Sequence, residues 1–327
     1  MGTRRTSHPR FRREGEVPPI KLTDDDTAII RCVFRHRFVR ADDLYRLFSD
    51  RSPDRLSRRL TLLYRNQYLD RPGSQIDRFR KGGSQAYVYG LDSAGARLLK
   101  EKEGAPVGPT DWKSRNRTYT RENLDHTLAV AHFMIDLELA CRARKDVSVI
   151  PFDEILAHAP EETKQSVYPA RWPVQVRFNG ANTTIHLIPD AIFGLRLARQ
   201  GAKHLQSYIF LEIDRGTTTI APAERVRESD AFVHRTSVLR KLITYAESWR
   251  QNLHKAQFNI PASRVLTLTT SAARATAMRI SARDLVSKNF RLPEGLFLFG
   301  VLQQATNPLD MALEASSGQT TQLIPSR

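Results

Sequence analysis

Long apolar runs are missing from this chain of 327 residues. No stretch approaches the roughly 18 consecutive apolar residues that a membrane-spanning helix needs, so no membrane partner is expected. Cysteine is nearly absent: Cys32 and Cys141 are the only two, far apart and without metal-ligand spacing. That removes disulfide and zinc frameworks and leads us to expect buried thiols in a reducing cytoplasm. The 9 histidines form neither a His-Glu-x-x-His nor a His-x-His pattern, so zinc-protease and two-histidine metal sites lack their ligands. No Walker A sequence is present, and ATP is not expected. Aromatic residues make up only 8% and form no evident stacking platform.

Negative charge is also scarce relative to positive. Lys and Arg number 51 against 35 Asp and Glu, a formal net charge of +16. About two thirds of that excess lies within residues 1–120. A polyanion-binding surface is therefore expected in the front of the chain. Arg outnumbers Lys there, and guanidinium forks suit phosphates and guanine edges.

The opening segment, 1–21, is basic without an apolar core behind it, and reads as a disordered basic arm rather than a secretory signal. Residues 22–100 follow a regular plan. Thr23 with Asp24, Asp25 and Asp26 makes an N-cap and an acidic first turn ahead of Ile29, Ile30, Val33 and Phe34 at helical spacing. A short helix over 41–48 comes next. Ser52 and Pro53 then open a third helix, with Leu56, Leu60 and Leu63 on one face and Arg55, Arg58 and Arg59 on another. A strand from Tyr68, a basic Gly-containing loop with Arg80 and Lys81, a returning strand at AYVYGL and a fourth helix capped by Asp92 complete the region. Three helices, a basic hairpin and a closing helix resemble the winged-helix fold, a helix-turn-helix variant. In that fold Arg55, Arg58 and Arg59 would enter the major groove, with Arg80 and Lys81 on the flanking backbone. The alternative is a solvated arginine face, or a winged helix used against protein.

Residues 101–120 mix Pro, Gly and charge without periodicity and read as a linker. A long helix over 123–144 opens the rear domain, 121–303, and carries Asp136 and Glu138. Strands are expected at 174–178, 183–188, 208–213 and 264–270 and at LFLFG, with helices at 229–250 and 271–289. Hairpins followed by a strand–helix–strand crossover indicate an α/β (α+β) mixed sheet flanked by helices. Residues 304–327 read as a disordered tail.

The acidic residues stand out against this basic background. IHLIPDAIFGLRL places Asp190 at the end of one apolar strand, and YIFLEIDRGT places Glu212 and Asp214 two apart on the next. Side chains two apart share a strand face, so a hairpin would gather three carboxylates at one edge. Such a cluster is costly unless neutralised, and a divalent cation with oxygen ligands does so while activating water for phosphoryl chemistry. The competing readings are a turn at Asp190, ion pairs of Glu212 or Asp214 with Arg215 or Arg196, and a plain turn at 216–219 in place of a phosphate-binding loop.

The order of elements with Pro189-Asp190 and Glu212-x-Asp214 resembles the PD-(D/E)xK restriction-endonuclease-like superfamily. More narrowly, the winged helix, LDHTLAVAHF, PDAIF, LEIDRGT and the later KLITY together resemble the replication-relaxation family over roughly residues 22–300. We associate that resemblance with plasmid relaxases of the MobC and TraX type. It implies Mg2+ or Mn2+ held by Asp190 and Glu212. Asp214 stands where the superfamily usually has lysine, and would bind a second ion or orient water. Lys241 on the KLITY helix would then supply the missing ammonium, with Tyr245 one turn away on the same face. Glu138, or in second place Asp136, would add a further acid from the first helix of the rear domain.

The expected function is a metal-dependent DNA-nicking endodeoxyribonuclease of a bacterial mobile element. Its partners would be double-stranded DNA at an origin or transfer site and other mobilisation or replication proteins, with a homodimer also allowed. The rivals are a non-catalytic DNA-binding regulator or replication accessory factor built on a nuclease-like scaffold, and a defence or restriction nuclease.

Overall fold

The computed structural model describes residues 11–13, 15–76, 86–105, 111–178, 181–198, 204–223, 235–288, 292–302 and 307–324. Eleven α-helices and twelve strands lie among them. The chain divides into two compact units, Met1–Ile135 and Asp136–Arg327.

The first unit runs α1 (Asp24–His36), β1 (Phe38–Arg40), α2 (Ala41–Leu47), α3 (Pro53–Arg65), β2 (Leu69–Asp70), β3 (Val88–Leu91), α4 (Ser93–Glu103) and α5 (Trp112–Arg117), and ends within α6 (Arg121–Ala143). The strands form one antiparallel sheet in the order β1-β3-β2. This is winged-helix topology. Its helices start where the sequence marks them. Thr23 and Asp26 form a reciprocal capping box at α1. Ser52 caps α3 and Pro53 occupies its first turn, where no N–H is needed. Leu56, Leu60 and Leu63 turn inward.

Two expectations about this unit change. Residues 101–120 are not a bare linker, because α4 continues to Glu103 and α5 follows, with Trp112 and Asn116 buried. Asn116 donates to Asp70 Oδ2 and to the Leu91 carbonyl, each at 3.0 Å, which ties α5 to the sheet. The end of the arm is also anchored. Arg13 donates to the carbonyls of Tyr64 (2.7 Å) and Leu69 (2.8 Å) and pairs with Asp92 at 2.5 Å. Arg80 and Lys81, the expected wing contacts, lie outside the described residues.

The second unit continues from α6 through β4 (Val147–Ile150), α7 (Phe152–Ala157), α8 (Glu161–Gln165), β5 (Trp172–Phe178), β6 (Ala181–Leu187), β7 (Ala191–Leu197), β8 (Leu205–Ile213), α9 (Val238–Arg250), α10 (Leu253–Phe258), β9 (Ser263–Thr269), α11 (Ala272–Lys288), β10 (Phe297–Val301), β11 (Leu313–Ala315) and β12 (Thr320–Thr321). Seven strands form a mixed sheet in the order β12-β11-β10-β9-β8-β7-β4, with β8, β9 and β10 parallel. Helices flank it. Trp172, Phe210, Tyr245, Phe258 and Phe297 belong to one buried core, in which Trp172 meets Phe258 edge-on at 5.3 Å.

The strands around Asp190 are arranged differently from the sequence reading. β5 and β6 form their own two-stranded sheet, and Asp190 precedes β7 instead of ending β6. Pro189 has no N–H to give a ladder, so one strand stops before it and another starts after it. The expected disordered tail, 304–327, adds β11 and β12 to the sheet and buries Leu309, Met311, Leu313, Leu323 and Ile324. Gly300 permits this close packing, since a Cβ there would lie 2.8 Å from the Leu313 side chain. Among the described residues no helix is long and apolar enough to cross a membrane.

Candidate functional site

The parallel strands β8 and β9 end on the same edge of the large sheet, and β7 begins there. Continuing the β7–β8 register one step past Ala191 and Leu211 sets Asp190 opposite Glu212. Asp190 is fixed by its backbone N–H to the Leu211 carbonyl (3.0 Å) and by its Oδ2, which accepts the Ile213 N–H at 2.8 Å. Glu212 lies on the buried part of β8 and is only 5% exposed.

Helix α9 crosses this edge. Ser237 caps it by accepting the Arg240 N–H at 3.1 Å. Lys241 and Tyr245, one turn apart, both reach Glu212: Lys241 Nζ is ion-paired with Oε2, and Tyr245 donates to Oε1 at 2.5 Å. Burial pushes the Glu212 carboxyl up to about 7, with Lys241 opposing the shift and Asp190 adding to it. Burial works against the Lys241 charge, but Glu212, Asp190 and Asp214 together hold its ammonium above the usual value. Tyr245 is raised well above the ordinary phenol range, first by burial and then by Glu212. Lys241 keeps 42% of its side chain open to solvent, while its charged end is desolvated and paired with Glu212.

Asp214 follows a different course. It lies just past the end of β8, and its carboxylate faces α11. Arg274 grips it with Nε to Oδ2 (2.6 Å) and Nη2 to Oδ1 (2.9 Å); Thr269 Oγ1 donates at 2.5 Å and the Gly216 N–H at 3.1 Å. Burial alone would raise this carboxyl, but the bonds from Arg274 and Thr269 more than offset it and hold it below the usual range. Residues 216–219 are a turn built inward: Gly216 N–H serves Asp214, the Thr218 carbonyl accepts from Arg274, and the Thr219 carbonyl accepts the Val238 N–H at 3.0 Å. Glu138 pairs with Arg142 on its own helix at 2.7 Å. Arg196 pairs with Glu154 at 2.6 Å.

The structure thus brings Asp190, Glu212, Lys241 and Tyr245 together and engages Asp214 and Glu138 with arginines. Arg274 was not foreseen. No local motif marks it, because its partner is 60 residues earlier and only the parallel pairing of β8 with β9 makes them neighbours. In the first unit, Arg55 and Arg58 are exposed on α3. Arg59 is not a free groove contact: it donates to Asp26 Oδ1 at 2.6 Å and to the Lys21 carbonyl, joining α3 to the α1 cap.

A divalent cation finds a limited donor set here. Among the described residues no group of three or more His, Cys, Asp or Glu side chains is arranged to hold a metal. Mg2+, however, takes one or two carboxylates and keeps several waters. The facing pair Asp190 and Glu212 would suit such an ion, since a carboxylate oxygen that accepts one bond retains a second lone pair. Asp214 does not suit it: its Oδ2 already accepts three bonds, from Arg274, Thr269 and the Gly216 N–H, and its Oδ1 is held by the same guanidinium.

The sequence model of the replication-relaxation family matches residues 30–261. The chain belongs to the replication-relaxation family. The matched span runs from α1 to the loop after α10 and includes Asp190, Glu212, Asp214, Lys241 and Tyr245. Arg274 and the last strands of this replication-relaxation protein lie beyond it. No curated protein and no solved structure matches the chain. Family membership points to a role in the replication or relaxation of plasmid or mobile-element DNA.

Proposed function

We propose that this replication-relaxation protein binds duplex DNA through its winged helix and nicks it by phosphodiester hydrolysis at the edge formed by β7, β8 and α9. The observation that carries this reading is the facing pair Asp190 and Glu212 with Lys241 bonded to one of them. Two carboxylates beside an ammonium are the groups that phosphoryl hydrolysis uses, one kind to hold a cation and the other to meet the phosphate charge.

Mg2+ or Mn2+, bound by Asp190 and Glu212, would supply Lewis-acid polarisation and a water of lowered pKa. Asp190 is held in place through the Ile213 N–H. Lys241 Nζ brings positive charge to the scissile phosphate. Tyr245 keeps Glu212 in one rotamer through its 2.5 Å hydrogen bond, and is a positioning residue. Asp214 and Arg274 tie the end of β8 to α11, and so hold the strand end that carries Glu212. Arg55 and Arg58 contact DNA from the exposed face of α3.

A second reading is favoured by the internal pairing itself. Both oxygens of Glu212 and both of Asp214 already accept bonds, from Lys241 and Tyr245 and from Arg274 respectively. A non-cutting DNA-binding protein would look the same at rest. A supercoiled-plasmid assay with and without Mn2+, using the protein's own replicon, separates the two. Conversion to open circles by wild type and not by Asp190→Asn supports hydrolysis. No conversion, together with no divalent-ion binding by calorimetry, leaves the non-cutting reading.

A further inference from the structure

The two-stranded sheet β5–β6 stands apart from the main sheet, and its two faces differ sharply. Trp172, Val174, Val176 and Leu187 are buried, and the sheet packs against α9. The other face is exposed along its whole length. Its cross-strand pairs are Pro173 with His186, Gln175 with Thr184 and Arg177 with Asn182. Arg171 and Ile188, exposed just before β5 and just after β6, extend the same face by one step. Gln175 Nε2 donates to Thr184 Oγ1 at 3.0 Å.

Two properties set this face apart from an ordinary solvated one. Solvated surfaces mix both charge signs, but residues 171–188 contain no Asp or Glu at all. The face offers two guanidinium groups, two amides, a hydroxyl and an imidazole. It also runs directly into the candidate site, since β6 ends at Leu187 and Asp190 is three residues on. At about 3.3 Å per residue the ribbon is roughly 20 Å long. The major groove of B-form DNA, about 12 Å wide, admits a two-stranded ribbon, and Arg, Gln and Asn are side chains that read base edges there.

From this we infer that the β5–β6 ribbon is a second DNA-contacting element, which lays its Arg171, Gln175, Arg177 and Asn182 face on duplex DNA beside the Asp190–Glu212 edge. The inference rests on the reading that the second unit acts on DNA. It adds the surface by which that unit would hold its own substrate independently of the winged helix. Amides and guanidinium groups supply hydrogen bonds, and the absence of carboxylates removes repulsion from phosphate.

The test uses the full chain. Thr184→Cys and, separately, Arg58→Cys are labelled with a thiol-directed photocrosslinker, the native Cys32 and Cys141 being buried. Each is irradiated with a short duplex oligonucleotide and with the matching single strand. A covalent duplex adduct from position 184 is expected. In parallel, Arg171→Ala with Arg177→Ala should lower the log–log salt slope of duplex binding by about 1–2, since each phosphate neutralised by a side chain accounts for about 0.9. Arg171→Lys with Arg177→Lys should restore it. Crosslinking from position 58 without crosslinking from 184, and with an unchanged salt slope, overturns the ribbon while leaving the winged-helix reading intact. An adduct only with single strands overturns duplex binding by the ribbon. Failure of both positions, with no duplex binding by wild type, overturns the ribbon and the DNA reading together.

Discussion

Lys241 on α9 and Glu212 on β8, 29 residues apart in sequence, meet as an ion pair at the sheet edge where Asp190 faces Glu212. The pair is asymmetric: Glu212 is 7% exposed in its side chain and Lys241 42%. The carboxylate is locked in protein, while part of the Lys241 side chain is open to solvent.

Asp190→Asn and Glu212→Gln should each abolish Mn2+-dependent nicking of supercoiled plasmid and leave duplex affinity within about twofold of wild type. Lys241→Ala should lower turnover more than affinity, because a charge aimed at the scissile phosphate acts in the transition state. Gel conversion rates and equilibrium binding check both. Nicking by Glu212→Gln at the wild-type rate would place the chemistry elsewhere.

Glu212 also gives stability a pH dependence with a definite sign. Its carboxyl sits near 7 in the folded protein against the usual 4.5. Between those values the folded chain keeps a proton that the unfolded chain has lost, so this group's contribution falls as pH rises from about 4.5 through about 7. A tenfold difference in proton affinity between the two states is worth about 1.4 kcal/mol. Urea denaturation across that range should show wild type losing stability relative to Glu212→Gln. Parallel curves would refute the raised carboxyl.

Asp214 and Arg274 should behave as one structural unit. Asp214→Ala leaves a guanidinium that is 19% exposed without its carboxylate, and should cost about 2 kcal/mol, the scale of hydrogen bonds to charged groups. Arg274→Ala should cost a similar amount, and the double variant less than the sum. Additive losses in denaturant midpoints would show that the two do not couple.

Arg59 separates from its neighbours on α3. Arg55→Ala with Arg58→Ala should weaken duplex binding and flatten its salt dependence by about 0.9 for each phosphate no longer neutralised, with little change in stability. Arg59→Ala should instead lower the unfolding midpoint, because Asp26 is fully buried and loses its guanidinium partner. Equal losses of affinity from all three positions would contradict the Asp26 contact.

Much of the first unit was legible in the residues because its signals are local. Capping residues, a proline at a first helical turn and leucines three and four apart act within one or two helical turns, and α1 and α3 start where those signals lie. Arg59 was misread for the same reason: helical spacing places it beside Arg55 and Arg58, and nothing nearby says that Asp26, 33 residues earlier, will hold it. The tail and the linker were misread because β11, β12 and α5 are too short to leave a hydrophobic period. They depend on partners distant in sequence: β11 and β12 extend the edge at β10, and α5 packs on β3.

The residues alone dictate the acid-poor, arginine-rich character of the chain, the winged-helix front and the presence of Asp190, Glu212, Asp214 and Lys241 near strand and helix ends. Alternation along a strand predicted a common face for Glu212 and Asp214, although the strand stops at Ile213, and helical spacing put Lys241 with Tyr245. Which of these groups meet was settled by the three-dimensional arrangement. Pairing of β7 with β8 set Asp190 against Glu212, the crossing of α9 brought Lys241 and Tyr245 to the same carboxylate, and the parallel pairing of β8 with β9 handed Asp214 to Arg274. Periodicity fixes the direction of a side chain relative to its own element. The partner it finds depends on register and crossover, which arise from contacts distant in sequence.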